Sequence, residues 1–368
     1  MKIIFVIFLF CTFGCSSLKK ITLTKPKPTA RVFNAKWIKN LDPYYSSGNL
    51  PLTTAAPTIY EESVFVGSLD GELLSYDSEN GRKNWSAKDG SAINHAPLVE
   101  GEWIYYGTEL GRFFVRNQTN GKLKYAIDLG ASIESKPVFS QGRVFVHLRG
   151  HQLVCLDAET GKIVWSYRRA VPISVTFQRL ARPLVIGSKI YIGFADGFLV
   201  ALSLEEGAVL WETKLVENQK FVDVDLDPVF IQNSLITGSP SSTLKAVDSI
   251  NGAVKVVYPF QVMANILSKG EILILGTQDG EVVFVNAAGD VLKRKQVSKK
   301  GISSLKWWKE KLIISTFGGV VLALNPNDLS IDDRFYLGSF QSTIYGDLEV
   351  SGEGLAIFSN RNRLYYFE

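Results

Sequence analysis

Residues 67–85, GSLDGELLSYDSENGRKNW, and residues 193–211, GFADGFLVALSLEEGAVLW, follow one plan: a strand, a tight turn, a second strand, a second turn and a tryptophan. A hairpin of this length cannot bury its apolar face alone, so a chain that repeats it must stack the copies against one another. Tight turns in register stand at Gly71, Gly111, His151, Gly197, Ser242, Gly280, Gly319 and Asn362, which predicts eight units. Ten residues after the first five comes Gly81, Gly121, Gly161, Gly207 or Gly252, and fourteen residues before them comes Pro57, Pro97, Pro137, Pro183 or Pro228. Gly289 follows Gly280 by nine.

Between these landmarks lie short Val, Ile, Phe and Tyr runs such as VFVG, WIYYG, VFVHL and KIYIG. Such runs read as strands, and the Asp-Gly and Asn-Gly pairs as hairpin turns that need positive φ. Beyond the first residues no segment keeps a helical period. About forty residues holding four short strands make one propeller blade, so the expected fold is all-β, an eight-bladed β-propeller of four-stranded antiparallel blades. The sequence ends at RLYYFE, residues 363–368, with three strands of the eighth unit and no fourth. The fourth is expected from RVFNAKW, residues 31–37, with Trp37 in the place of Trp85, so that an N-terminal strand closes the ring and leaves no long free edge. LDAETGKIVW, residues 156–165, resembles the pyrroloquinoline-quinone-type propeller repeat, most closely in units one, three and four.

A hydrophobic fraction of 46% with 12% aromatics excludes a disordered tail and gives a globular chain. Its start differs. Lys2 precedes IIFVIFLFCTFG, residues 3–14, a run too short to cross a membrane and flanked like a signal peptide. TFGCSS then resembles a lipoprotein signal, with Cys15 as the acylated first residue. The expected division is a signal peptide over 1–14, a lipidated basic and proline-broken tether over 15–30, and the propeller over 31–368. Ser16 beside the cysteine fits sorting to the outer membrane, with the domain on its periplasmic face.

Of three cysteines only Cys155 then remains, so no disulfide within the chain is expected. The repeat prompts an enzyme reading, a quinoprotein dehydrogenase. The adjacent cysteine pair that such enzymes carry against their cofactor is absent. His95, His147 and His151 show no metal-ligand spacing suited to a hairpin, and neither a nucleophile elbow nor a phosphate loop is present. Neither a cofactor nor a metal is expected, which leaves binding. Residues 293–311, KRKQVSKKGISSLKWWKEK, read as a solvated loop and strand or as a contact for lipid headgroups or an acidic partner. Nucleic acid is not expected at an exported lipoprotein.

Two adjacent connections between units are long, and Trp37 to Pro57 spans twenty at another place on the same rim. Trp85 to Pro97 and Tyr125 to Pro137 take twelve residues, whereas Trp165 to Pro183 takes eighteen and Trp211 to Pro228 seventeen. Both insertions are expected on one rim, at adjacent junctions, and insertions on one face of a repeat array mark binding surfaces. The first offers Val175 and Phe177 in alternation beside Arg179; the second offers Asp223, Asp225 and Asp227. Alternating residues of an extended segment point the same way, so an apolar anchor with an acidic rim is expected. The chain as a whole is similar to the BamB family, propeller lipoproteins of the machinery that folds β-barrels into the bacterial outer membrane. The resemblance implies contact with the periplasmic POTRA domains of BamA through a Leu-x-Leu-Arg loop and an Asp-x-Asp. Asp223-Val224-Asp225 matches the second motif, and Val175-Thr176-Phe177-Gln178 stands where the first would be, with its nearest arginine at Arg179. It implies a noncatalytic scaffold working with other assembly lipoproteins and nascent outer-membrane proteins. A propeller that binds a glycan or small molecule in its channel is the alternative, with the dehydrogenase third.

Overall fold

The computed structural model describes residues 31–41, 53–170, 180–217, 222–338 and 342–368, and among them every regular element is a β-strand. The expected signal peptide, Cys15 and tether lie outside the described residues. The strands form eight four-stranded antiparallel sheets in which chain neighbours pair. The first holds Thr58–Tyr60, Ser63–Gly67, Glu72–Asp77 and Lys83–Lys88; the third holds Val138–Ser140, Arg143–Leu148, Gln152–Asp157 and Ile163–Arg168. The eighth joins Glu349–Ser351, Gly354–Ser359 and Arg363–Phe367 to Ala35–Asn40, whose partners run from Ala35↔Phe367 to Asn40↔Arg363. The fold is an eight-bladed β-propeller.

The middle two strands of each sheet are covered on both faces, which is why they read as continuous apolar runs rather than alternating ones. Leu73 to Tyr76 and Val144 to Leu148 are buried throughout. The core is accordingly a chain of clusters between blades. Phe65, Leu73, Ile93, Ile104, Tyr106 and Phe114 seal the first against the second.

Turn chemistry follows the sequence. Gly71, Gly111, His151, Gly197, Gly280, Gly319 and Asn362 all take positive φ, from 53° at Asn362 to 89° at Gly197. Ser242 does not; its turn is longer and closes through its N–H on the Ser239 carbonyl.

A second recurrent geometry joins most blades to the next. The Trp37 indole donates to Ser78 O of the following sheet at 2.8 Å, Trp85 to Gln118 O at 2.9 Å, and Trp165 to Leu204 O at 3.1 Å. The Tyr125 and Tyr258 hydroxyls donate likewise to Ala158 O and Ala287 O. Each early ring lies on a glycine whose absent side chain makes the room: a Cβ on Gly207 would fall 2.5 Å from the Trp165 ring, and one on Gly121 2.7 Å from Trp85. At the sixth junction Lys293 reaches Pro326 O and Asn327 O instead. At the seventh, Asp333 accepts from the N–H groups of Val32 and Phe33.

Beside each clasp the outermost strand skips one residue of its ladder, as at Val164 between Leu156↔Ile163 and Cys155↔Trp165. Corresponding skips recur in all eight sheets. Such bulges twist an edge and discourage pairing with another chain.

Candidate functional site

One rim of the propeller carries both the turns between second and third strands and the crossings from each outermost strand to the next blade. Hydrogen bonds tie the two kinds of loop together: Asp89 N–H to Gly71 O, Leu129 N–H to Gly111 O, and Leu215 N–H to Gly197 O. The crossings then dive inward. Ile93, Ile133 and Val224 stand four residues before Pro97, Pro137 and Pro228. Each is fully covered, and each donates its N–H to the turn below, at Ser68 O, Thr108 O and Phe194 O. They rest on Gly67, Gly107 and Gly193, where a Cβ would come within 2.4 Å of them.

This geometry corrects part of the sequence reading. Val224 is a buried plug, and Asp223 and Asp225 on either side of it are 2% and 3% exposed. They do not form the expected acidic face toward solvent, because the inward plunge that seats Val224 takes both flanking side chains under the crossing. The signal was available in the sequence, since Val224 shares its offset from the proline with Ile93 and Ile133. Val175, Phe177 and Arg179 lie outside the described residues.

The two long crossings are joined at their feet. Arg182 closes the first and Asp227 the second. The Arg182 N–H donates to Asp227 Oδ1 at 2.7 Å, and its guanidinium meets Oδ2 at 3.1 Å. Where the first crossing begins, Arg169 is fixed by Asp196 Oδ2 at 2.8 Å and Glu212 Oε2 at 2.7 Å, both in the fourth blade, and lies over the Phe198 ring. Sequence reasoning missed Arg169 and Arg182; an arginine facing an acidic turn of the next repeat was the available cue.

The crossings end at the mouth of the central channel. Two residues before the innermost strands begin stand Ala56, Ala96, Lys136, Arg182, Asp227 and Asp347, which line a cavity there together with Asn94 and Glu134. Lys136 is set deeply enough that desolvation pulls its ammonium below the usual lysine range.

The histidines hold crossings. In His95, Nδ1 pairs with Ala96 O at 2.8 Å while the Gly107 N–H donates to Nε2 at 3.1 Å. His147 Nδ1 pairs with Ala181 O at 2.8 Å. Burial lowers both to about 4, so they are neutral at pH 7. Among the described residues no group of His, Cys, Asp or Glu is placed to hold a metal. Cys155 is buried in its strand, and burial pushes its thiol up to about 12. The basic stretch 293–311 is largely engaged within the fold: Arg294 pairs with Glu281, Lys309 with Glu353 and Lys311 with Asp332, while Lys293 clasps the next blade.

Residues 42–122 and 95–289 match the family model described as outer membrane protein assembly factor BamB. The protein of that name from Burkholderia pseudomallei is 25% identical over 85% of this chain and 83% of its own length. The crystal structure of BamB from Moraxella catarrhalis superposes with a TM-score of 0.77 at 21% identity, covering 92% of this chain and all of that one. The dehydrogenase subunit of a quinone alcohol dehydrogenase from Gluconacetobacter polyoxogenes is 28% identical, but over only 49% of this chain and 28% of that protein. The shared blade repeat accounts for that likeness. With most of its length matched in sequence and its whole architecture matched in space, the chain belongs to the BamB family of outer-membrane protein assembly factors.

Proposed function

We propose that the chain is a noncatalytic scaffold, held by lipid on Cys15 at the periplasmic face of the outer membrane, that docks on the POTRA domains of BamA through the rim bearing its two long crossings. The bond from Arg182 to Asp227 carries this reading, because it ties together the ends of two crossings at adjacent junctions. Val175 and Phe177 supply the apolar anchor in the proposal and Arg179 its charge. Asp223 and Asp225 act from beneath, bracing the second crossing rather than touching the partner. A scaffold of this kind positions nascent barrel proteins near the folding machinery, together with the other assembly lipoproteins, and needs neither cofactor nor catalytic group.

Co-purification from outer membranes tests it. The doubly substituted chain Val175→Ala, Phe177→Ala is expected to lose most of its BamA while keeping its far-ultraviolet spectrum and unfolding midpoint. Recovery of BamA at the unsubstituted level would place the docking surface elsewhere.

A further inference from the structure

The channel mouth carries two charges that the scaffold leaves unused. Lys136 of the third blade and Asp347 of the eighth occupy the same register position and line the same cavity. Among the described residues neither makes a hydrogen bond or an ion pair. Their charged neighbours are already engaged, Arg182 with Asp227 and Lys306 with Glu349 at 4.0 Å. Going round the ring from Asp347 to Lys136, the same position holds Ala56 and then Ala96, so the wall between the two charges is recessed. Two buried acceptors belong to this recess: Asn94 Oδ1 and Glu134 Oε2 have no hydrogen-bond donor among the described residues. Buried acceptors without donors are unfavourable unless something supplies the missing partners, and the partly buried Lys136 ammonium feels the Glu349 and Asp347 carboxylates without forming an ion pair with either.

A ligand that satisfies all four groups needs a carboxylate for Lys136, an ammonium for Asp347, and N–H donors for the two acceptors between them in ring order. We propose that the channel mouth binds short peptides with free termini, the carboxylate on Lys136, the ammonium toward Asp347, and amide N–H groups on Asn94 and Glu134. This site goes beyond the docking proposal, and its test does not depend on that proposal.

Calorimetric titration of the detergent-solubilised full chain with trialanine, N-acetyl-trialanine and trialanine amide tests the assignment without altering the fold. Trialanine is expected to bind, and each blocked peptide to bind about tenfold more weakly. Lys136→Met should weaken trialanine about tenfold and leave trialanine amide unaffected; Asp347→Asn should weaken trialanine equally and leave N-acetyl-trialanine unaffected. Lys136→Arg keeps the charge and should retain most of the affinity. The unfolding midpoint of Lys136→Met should not fall, because the substitution removes a desolvated charge. No heat from trialanine at millimolar concentration, or equal binding of all three peptides, would overturn the proposal, as would equal loss for every peptide in both variants.

Discussion

The short crossings over residues 89–97 and 129–137 and the long one over 215–228 begin and end alike. Each starts with an N–H on the glycine of the turn below, at Asp89, Leu129 and Leu215, and each finishes with a buried plug at Ile93, Ile133 or Val224. They differ in the chain between those two points, three residues in the short cases and eight in the long one. Length has thus been added between fixed anchors. The lesson is that the scaffold and the extra chain are separable: the plug serves packing at each of these three crossings, and the insertion is available for another use.

The largest effects should come from the plugs. Ile133→Ala is expected to cost about 3 kcal/mol of stability and Val224→Ala about 2 kcal/mol, both in the range for emptying a core site, measured by urea unfolding. If Val224→Ala were silent, the long crossing would not be anchored like the short ones.

Next come the histidines that pin one crossing of each kind, His95 the short and His147 the long. Folding lowers each from about 6.5 to about 4. On acidification the unfolded chain binds protons first. The stability they contribute is therefore full above pH 6.5, declines as pH falls toward 4, and changes no further below it. The loss is on the order of 3 kcal/mol for each over that window. In His95→Gln the unfolding midpoint should vary less between pH 6.5 and 4 than in the parent chain, and an equally steep profile would exclude His95 as a source.

Gly121→Ala, under the clasp of a short junction, and Gly207→Ala, under that of a long one, should each cost about 2 kcal/mol from positive φ and ring contact. Unequal costs by urea titration would mean that crossing length and blade sealing are coupled. The smallest change is expected from deleting residues 217–221, which brings Leu215 and Val224 to the spacing of the short crossings; stability should move by less than about 1 kcal/mol in the same assay.

The propeller was legible because its geometry imposes residue types at fixed offsets. Positive φ calls for Gly, His or Asn at the turns, and an aromatic ring lying on the next blade calls for glycine beneath it. Those signals weaken where the chemistry of the seal changes, to Lys293 and Asp333, since a polar clasp has no glycine requirement. The candidate site was legible only in part. Long crossings at adjacent junctions show in the spacing, but Asp223 and Asp225 look like surface charges when the strand is imagined straight. Their burial follows from the plug at Val224, a fact of the repeat register rather than of the motif. The channel mouth left no trace in sequence because its residues come from six blades and meet only when the ring closes.

Whether the two long crossings form one docking rim is tested most directly by the affinity of purified BamA POTRA domains for the full chain and for a chain lacking residues 172–177 and 217–221. The shortened chain should bind at least about tenfold more weakly with its unfolding midpoint preserved. Undiminished affinity in a folded shortened chain would contradict the account.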